Sequence, residues 1–192
     1  MRYRSQSQQY QHGTLAVEFA LVLGVFLLLL FGLLAVAQGL YAFNTVQEVS
    51  RRAAAAAAKT DFNDAAALQQ IRQNAVFRSS PGVLGFAAPI SDAHVRIDYL
   101  SISRAADGAL SLLPMALLPA SPAANRVACM ADPYSTQCVQ FVRVRLCDVA
   151  DTESCQPVAL DSIFPWVQLN IMLTTATTIV KADGLGYMAS PL

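Results

Sequence analysis

The chain has 192 residues, of which 55% are hydrophobic, and its 13 basic and 13 acidic residues cancel in the formal net charge. These charges are scattered along the chain, so the sequence lacks the basic patch that nucleic-acid binding requires. Once an apolar N-terminal segment is set aside, enough chain remains for one modest core but not for a second large domain.

The first element in chain order is an uncharged run at residues 19–37 that contains only Phe, Ala, Leu, Val and Gly. As a helix this run would reach about 28 Å, which nearly spans the hydrocarbon core of a bilayer. The preceding segment, Met1–His12, carries Arg2 and Arg4 and no acidic residue, which favours a cytoplasmic N-terminus and export of the rest of the chain. The sequence therefore predicts a single-pass membrane helix.

A single carboxylate, Glu18, stands at the start of this run, five residues beyond Gly13. An ionised carboxylate at the edge of hydrocarbon costs about 2–3 kcal/mol on insertion scales, so such a residue usually has a partner and a role. Two processing routes are open. A cytoplasmic peptidase cutting after Gly13 would leave Thr14 as the new amino terminus and keep the helix. A signal peptidase cutting after Ala37 would release a soluble protein, but that route gives Glu18 no purpose.

Helical periodicity continues beyond the apolar run and predicts one long helix over residues 14–60. The predicted apolar stripe consists of Val36, Leu40, Phe43, Val46, Val49 and Ala53, and the other faces carry Gln38, Asn44, Gln47, Glu48, Arg51 and Arg52. The stripe leads into an alanine run at residues 53–58. Alanines permit close backbone approach, so this run is suited either to bundling with other helices or to packing on the domain's own sheet.

Residues 61–192 are predicted to form a small exported α+β domain. A second helix is expected to start near Asn63, whose side chain would cap it, and to stop at residues 79–82. Alternating apolar and polar residues predict strands at 95–99 and 142–146. A further candidate runs from Trp166 to about Val180, with a threonine-rich tail that suits either strand or helix.

The segment from Ala105 to Ala128 contains three prolines and predicts an irregular excursion. It suits either an ordinary loop or an apolar surface for a partner. It is too broken to form a second membrane span.

Four cysteines, Cys129, Cys138, Cys147 and Cys155, fall within one short region of the exported part. Their even number and the oxidising compartment indicate disulfides. Three pairings are possible, and the local pairs Cys129 with Cys138 and Cys147 with Cys155 are favoured because short loops close readily. No Cys-x-x-Cys spacing is present, so no metal site and no cofactor are predicted.

Catalysis finds little support in the sequence. His94, Arg96 and Asp98 share one face of a predicted strand and could in principle orient an acid and a base, but an exposed polar strand face looks the same. Neither a Gly-x-Ser-x-Gly elbow nor a glycine-rich phosphate loop is present. The sequence therefore predicts a protein that is not an enzyme.

Gly13 followed by Glu18-Phe19 resembles the cleavage signature of type IV pilins and pseudopilins, which are cut after the glycine. A wider stretch covering about a quarter of the chain resembles the TadE-like family of tight-adherence pilus proteins. The residues that carry this resemblance are Glu18–Leu23, Leu30–Leu34, Tyr41, Asn44-Thr45 and Arg51. Gly24, Ala35 and Ala55 depart from the family pattern, as in a divergent member.

The resemblance implies a pilin-like fold and a non-catalytic minor pilin or pseudopilin of a tight-adherence (type IVc, Flp-type) pilus. It implies a cytoplasmic leader at residues 1–13 and an inner-membrane helix, with the domain in the periplasm. In pilins the glutamate, here Glu18, is thought to meet the amine of a neighbouring subunit. The implied partners are a prepilin peptidase, an inner-membrane assembly platform, other minor pilins and the major Flp-type pilin.

No residue decides whether the protein initiates the pilus, caps it or assists assembly from the membrane. Two alternatives to a pilus protein remain. One is a secreted soluble binding protein released after Ala37. The other is an uncleaved membrane-anchored enzyme with a divergent site.

Overall fold

The computed structural model describes residues 11–150, 154–162, 171–173 and 175–187, with side chains from Leu15 onward. Within these ranges the chain forms three α-helices and six β-strands, and this confirms the predicted α+β class. The helices are α1 (Gln11–Ala57), α2 (Ala65–Ala75) and α3 (Pro122–Ala131), and the strands are β1 (Val95–Arg104), β2 (Leu110–Pro114), β3 (Phe141–Leu146), β4 (Val158–Leu160), β5 (Ile171–Leu173) and β6 (Thr177–Lys181). Most of the predicted leader and residues 166–170 of the last strand candidate lie outside the described residues.

The dominant element is α1, which continues for 47 residues without interruption. At 1.5 Å per residue it is about 70 Å long. A run of leucine and alanine without proline favours helix throughout, and a helix satisfies its own backbone hydrogen bonds where no water is available. Only the second half of α1 packs on the domain, because the buried positions begin at Ala35.

The second helix starts one residue later than the sequence analysis predicted. Asp64, not Asn63, is the cap, and its carboxylate accepts a hydrogen bond from the backbone N–H of Ala67 at 2.9 Å. The Asn63 amide instead donates to the carbonyl oxygens of residues 119–120. The helix also ends earlier than predicted, at Ala75. Neighbouring polar residues compete for the cap, and the tertiary contact of Asn63 decides between them.

Four antiparallel strands form the main sheet in the order β2-β1-β3-β6. In β3 Val142 and Val144 are fully buried, whereas Arg143 and Arg145, which alternate with them, are partly exposed. This alternation is the half-buried pattern from which both central strands were predicted. The buried face packs against α1, α2 packs against α1, and apolar residues of both helices and of the sheet form one hydrophobic core.

The segment from Ala105 to Ala128 is not the irregular excursion that the prolines suggested. It contains β2, which forms a hairpin with β1 around Gly108 at a φ of 84°, and the start of α3. Ser121 caps α3 by accepting a hydrogen bond from the N–H of Ala124, and Pro122 occupies the first turn. All five residues of β2 are exposed, so the strand lacks the alternation that sequence analysis relies on.

The last strand candidate is divided between two sheets in its described part. β5 pairs with β4 in a separate two-stranded sheet, and β6 forms one edge of the main sheet. Ile171 of β5 reaches α1, where its Cδ1 atom lies 3.0 Å from the position that a Cβ on Gly39 would take. The small sheet therefore covers α1 at the point where the helix first meets the domain.

Candidate functional site

The first part of α1 is largely exposed in the part of the chain that the structure describes. One described helix is long and apolar enough to cross a membrane, and it lies near the N-terminus. Apart from Phe31, which is partly buried, its large side chains are exposed from Leu15 as far as Leu34, with exposed fractions of 67% for Phe19 and 75% for Leu28. So much contiguous apolar surface indicates contact with lipid or with another protein.

The predicted processing and charge-pairing residues all lie on this first part of α1. The backbone of Gly13 and Thr14 is helical, and Glu18 and Phe19 are exposed. Among the described residues none forms an ion pair with Glu18. Thr14 and Glu18 are separated by four residues, or about 6 Å along the helix axis. Within the described structure the Glu18 carboxylate is therefore available to a group on another chain.

The domain meets α1 through small side chains. Ala35 and Ala42 are buried, with exposed fractions of 2% and 0%, and Gly39 lies between them against Ile171. These positions recur at steps of three and four residues, so they share one helix face. Small residues on this face let the small sheet and the adjacent loops approach the helix backbone closely.

Gln38 lies on the same face and joins two loops to the helix. Its Nε2 atom donates to the carbonyl oxygen of Asp161 at 2.9 Å and to that of Phe86 at 3.3 Å. The side chain is 8% exposed, although the sequence analysis placed it on a polar outer face. That placement was wrong because a buried polar side chain is stable wherever backbone groups satisfy its hydrogen bonds.

The predicted apolar stripe is divided between two faces of α1. Val46 and Val49 are buried against the domain as expected. Val36, Leu40 and Phe43 are instead 54%, 61% and 45% exposed, and their spacing places them on one face away from the domain. α1 therefore presents a second apolar face that the described residues of its domain leave uncovered.

Further along the helix the alanine run packs on the domain itself. Ala53, Ala54 and Ala57 are fully buried in the core. One turn earlier, Ser50 and Thr178 of β6 form a hydrogen bond between hydroxyl groups at 2.8 Å. Of the two roles considered for the alanines, packing on the domain's own sheet is the one that these three residues have.

His94 and Asp98 do not form an acid–base pair. His94 is buried in a short turn, where its Nδ1 atom accepts a hydrogen bond from the backbone N–H of Ser91 at 3.1 Å. Burial lowers the pKa of His94, and the nearby carboxylates of Asp148 and Asp92 oppose this shift. Burial and the hydrogen bond to Ser91 are typical of a histidine with a structural role.

Asp98 instead holds together two arginines of the neighbouring strand. One of its oxygens accepts hydrogen bonds from Arg143 at 3.0 Å and from Arg145 at 2.7 Å. The three side chains are only 19–23% exposed, so the carboxylate is important for offsetting the repulsion between the two cations.

All four cysteines form disulfides in the structure. Cys129 pairs with Cys138 and Cys147 pairs with Cys155, which is the local pairing that the sequence favoured. Within the described ranges no cluster of His, Cys, Asp or Glu side chains is suited to hold a metal ion.

Sequence analysis missed two residues at the junction of helix and domain, Gln38 and Phe86. Gln38 is the first strongly polar residue after the apolar run, and that position was the available signal. Phe86 follows Gly85 in a turn and is 75% exposed. An aromatic residue within a turn region gives no periodic signal, so only the structure places it beside α1.

Residues 13–55 match the sequence model of the family described as TadE-like protein, and this confirms the resemblance to that family carried by the stretch from Glu18 to Arg51. The match lies within α1. No curated protein and no solved structure gives a significant match to the chain. The TadE-like family is a structural family associated with Tad/Flp pili and is not known for enzymatic activity, so the match indicates a pilus-associated protein.

Proposed function

We propose that the protein is a non-catalytic minor pilin or pseudopilin that takes part in assembly of a tight-adherence pilus at the bacterial inner membrane. The observation that carries the proposal is the form of α1. Its apolar first part is largely exposed, and the described part of the domain covers one face of the part that follows. Such a helix needs lipid before assembly and neighbouring helices after it, because the described part of its domain leaves these apolar side chains exposed.

In this proposal residues 1–13 are a cytoplasmic leader that a prepilin peptidase removes after Gly13. Residues 14–60 then form the membrane and extended helix, and residues 61–192 form the domain in the periplasm. The basic leader supports this orientation. The two disulfides suit an oxidising compartment, which supports it further.

Cleavage would place a positive amine on Thr14, and Glu18 would supply the opposite charge. Pairing of the amine of one subunit with the Glu18 carboxylate of its neighbour would compensate both charges in a low-dielectric setting. Opposite charges at fixed positions would also set the axial register between subunits. Phe19, which is 67% exposed, would pack beside this pair. The exposed, unpaired state of Glu18 among the described residues supports this role.

The partners proposed are a prepilin peptidase, an inner-membrane assembly platform, other minor pilins and the major Flp-type pilin. The uncovered face of α1 at Val36, Leu40 and Phe43 is suited to helices of neighbouring subunits, since large apolar side chains fill the grooves of a packed helix.

Release of a soluble protein after Ala37 fits the structure less well. That cut would remove Ala35, which is 2% exposed against the domain, and would leave the buried Gln38 as the terminal residue. Leu40 and Phe43 would remain exposed in water. The anchored form loses none of these contacts.

The first experiment is to determine the N-terminal residue of the mature protein in separated membrane and soluble fractions of its native cell. Thr14 in the membrane fraction is the expected result. Gln38 in the soluble fraction would contradict the proposal and establish signal-peptide release. An intact Met1 would leave a plain membrane anchor.

The second experiment replaces Glu18 with alanine. We expect a stable, correctly processed protein that no longer associates with its pilus partners. The matched control is Glu48→Ala, because Glu48 lies on the same helix but outside the apolar run, where it pairs with Arg51 and Arg52. Unchanged association of Glu18→Ala in a pull-down from cross-linked membranes would rule out the charge-pairing role.

A further inference from the structure

The length of α1 determines how deep the domain sits relative to a bilayer. When Glu18 marks the cytoplasmic edge, a hydrocarbon core about 30 Å thick takes up about 20 residues of helix. Gln38 is then at the outer edge of the hydrocarbon, and Tyr41 lies about 4.5 Å further out, among the lipid headgroups. This inference rests on the proposed membrane-anchored state.

At this depth the protein exposes an apolar surface that we call the membrane-proximal patch, formed by Leu40, Tyr41 and Phe86. The exposed fractions of the three residues are 61%, 45% and 75%. The ring centroids of Tyr41 and Phe86 are 6.4 Å apart in an edge-to-face arrangement. Because the carbonyl oxygen of Phe86 accepts the hydrogen bond from Gln38, the loop is held at the level of the helix's exit from hydrocarbon.

The backbone of Phe86 has a positive φ, which is unfavourable for a residue other than glycine. Its φ is 58°, and the N–H of Ala87 donates to the carbonyl of Leu84 across the turn at 3.3 Å. The third position of such a turn normally takes glycine. A non-glycine residue in this region is strained. Phe86 therefore combines backbone strain with an exposed aromatic ring, and both are unfavourable in water.

Phe77 provides a comparison within the same chain, because it has nearly the same φ of 60° and is 50% exposed. Its conformation is explained by the end of α2, where the N–H groups of residues 77 and 78 donate to the carbonyls of residues 74 and 73. Its ring is covered by the guanidinium of Arg52, 4.5 Å from the ring centroid. Arg52 lies 11 helix positions beyond Tyr41, or about 17 Å further from the membrane.

We propose that the membrane-proximal patch docks into the headgroup region of the outer leaflet of the bilayer that α1 crosses. The patch is continuous with the membrane-spanning part of the helix, and residues 19–47 of that helix carry no charge. Aromatic side chains are enriched at this depth because their amphipathic rings suit the boundary between water and hydrocarbon. The docked loop holds the domain against the membrane before assembly.

The neighbouring charge limits how deep the patch enters. Asp161, whose carbonyl oxygen also accepts a hydrogen bond from Gln38, is exposed. A carboxylate at this level is stable in the hydrated headgroup region and costly in hydrocarbon. The patch therefore occupies the headgroup region and does not extend the membrane span.

The experiment uses the full chain in vesicles of phosphatidylethanolamine and phosphatidylglycerol that contain a doxyl-labelled quencher lipid. All four native cysteines are paired, so one introduced cysteine carries the only fluorescent label. Separate proteins carry the label at residue 83, three positions before Phe86 in the chain, at residue 25 in the span and at residue 127 on α3. Val83 and Val127 are 43% and 68% exposed, so both labels start from water-accessible positions.

We expect lipid quenching at residues 25 and 83 and none at residue 127. The variant Phe86→Gly relieves the backbone strain while it removes the ring, so it should fold and lower the quenching at residue 83 to the level at residue 127. The matched variant Phe77→Gly should leave the quenching at residue 83 unchanged. Phe86 itself carries no label, so the probe cannot replace the ring that is tested.

Three results would overturn the inference, and they can be told apart. Quenching at residue 25 without quenching at residue 83 would leave the membrane anchor in place and reject the docking of the patch. Quenching at residue 83 that persists in Phe86→Gly would reject the role of the ring. Absence of quenching at residue 25 would reject the anchored state and, with it, the inference.

Discussion

Replacing Gln38 with leucine tests whether one buried amide joins the domain to α1. Leucine keeps the approximate volume, so the main change is the loss of the polar amide, whose Nε2 atom donates to two backbone carbonyls. A net hydrogen bond contributes about 0.5–1.5 kcal/mol, and an acceptor left unpaired in a buried site costs about 1–3 kcal/mol. The hydrogen bond to Asp161 at 2.9 Å should contribute its full share of the free energy of unfolding, and the longer bond to Phe86 at 3.3 Å should contribute less. We expect the free energy of unfolding to fall by about 2 kcal/mol, since water takes over part of the lost bonding at a site that is not fully enclosed.

Guanidinium unfolding of the full chain in detergent micelles, followed by near-ultraviolet circular dichroism, measures this change. Hydrogen exchange then shows which part of the domain is destabilised. The amides of Leu84, Ala87 and Ile90 are hydrogen-bonded within the loop that Gln38 holds, so their protection should fall before that of the main sheet. Gln47→Leu is the matched control, because Gln47 is exposed on the same helix and should change stability by less than about 0.5 kcal/mol.

Two results would refute the reasoning. If Gln38→Leu and Gln47→Leu lower the unfolding free energy equally, the two hydrogen bonds contribute no net stability. If Gln38→Leu is destabilising but the loss of protection spreads evenly over the whole domain, Gln38 does not act through the loop at residues 84–90.

Three further predictions concern the domain. Asp98→Asn should lower the free energy of unfolding by about 1–3 kcal/mol, which is less than for a fully buried pair because the carboxylate is 19% exposed. Denaturant unfolding at several salt concentrations would measure this change. No change would mean that the two arginines of β3 are solvated independently. Burial lowers the pKa of His94, so the contribution of His94 to the free energy of unfolding should be constant above pH 6.5 and fall as the pH decreases below 6.5, where the unfolded chain binds the proton first. His94→Asn should lack this decrease. A decrease of equal size in both proteins would reject the assignment. Replacing Cys147 and Cys155 by serine opens a loop with a sequence separation of 8 and should lower the thermal midpoint, with a loss of roughly 2–3 kcal/mol; an unchanged midpoint would contradict a stabilising role for this disulfide.

The sequence by itself determined the features that depend on local pattern. An uncharged apolar run followed by a three- and four-residue repeat predicts one long helix, and α1 is that helix. Alternation in β1 and β3 predicted the two central strands of the sheet. Four cysteines close together predicted disulfides and favoured the local pairs that the structure has, because loop closure depends on separation along the chain. The pattern from Glu18 to Arg51 led to the family that the comparison supports.

Only the tertiary structure decided which face of α1 meets the domain. Hydrophobicity alone places Val36, Leu40 and Phe43 inward, but the domain approaches the helix too closely for large side chains and packs on Ala35 and Ala42 instead. Hydropathy measures transfer from water and carries no information about the distance between two packed backbones. The placement of Phe86 beside Tyr41 has the same origin, since it depends on residues 45 positions apart that only the folded chain brings together.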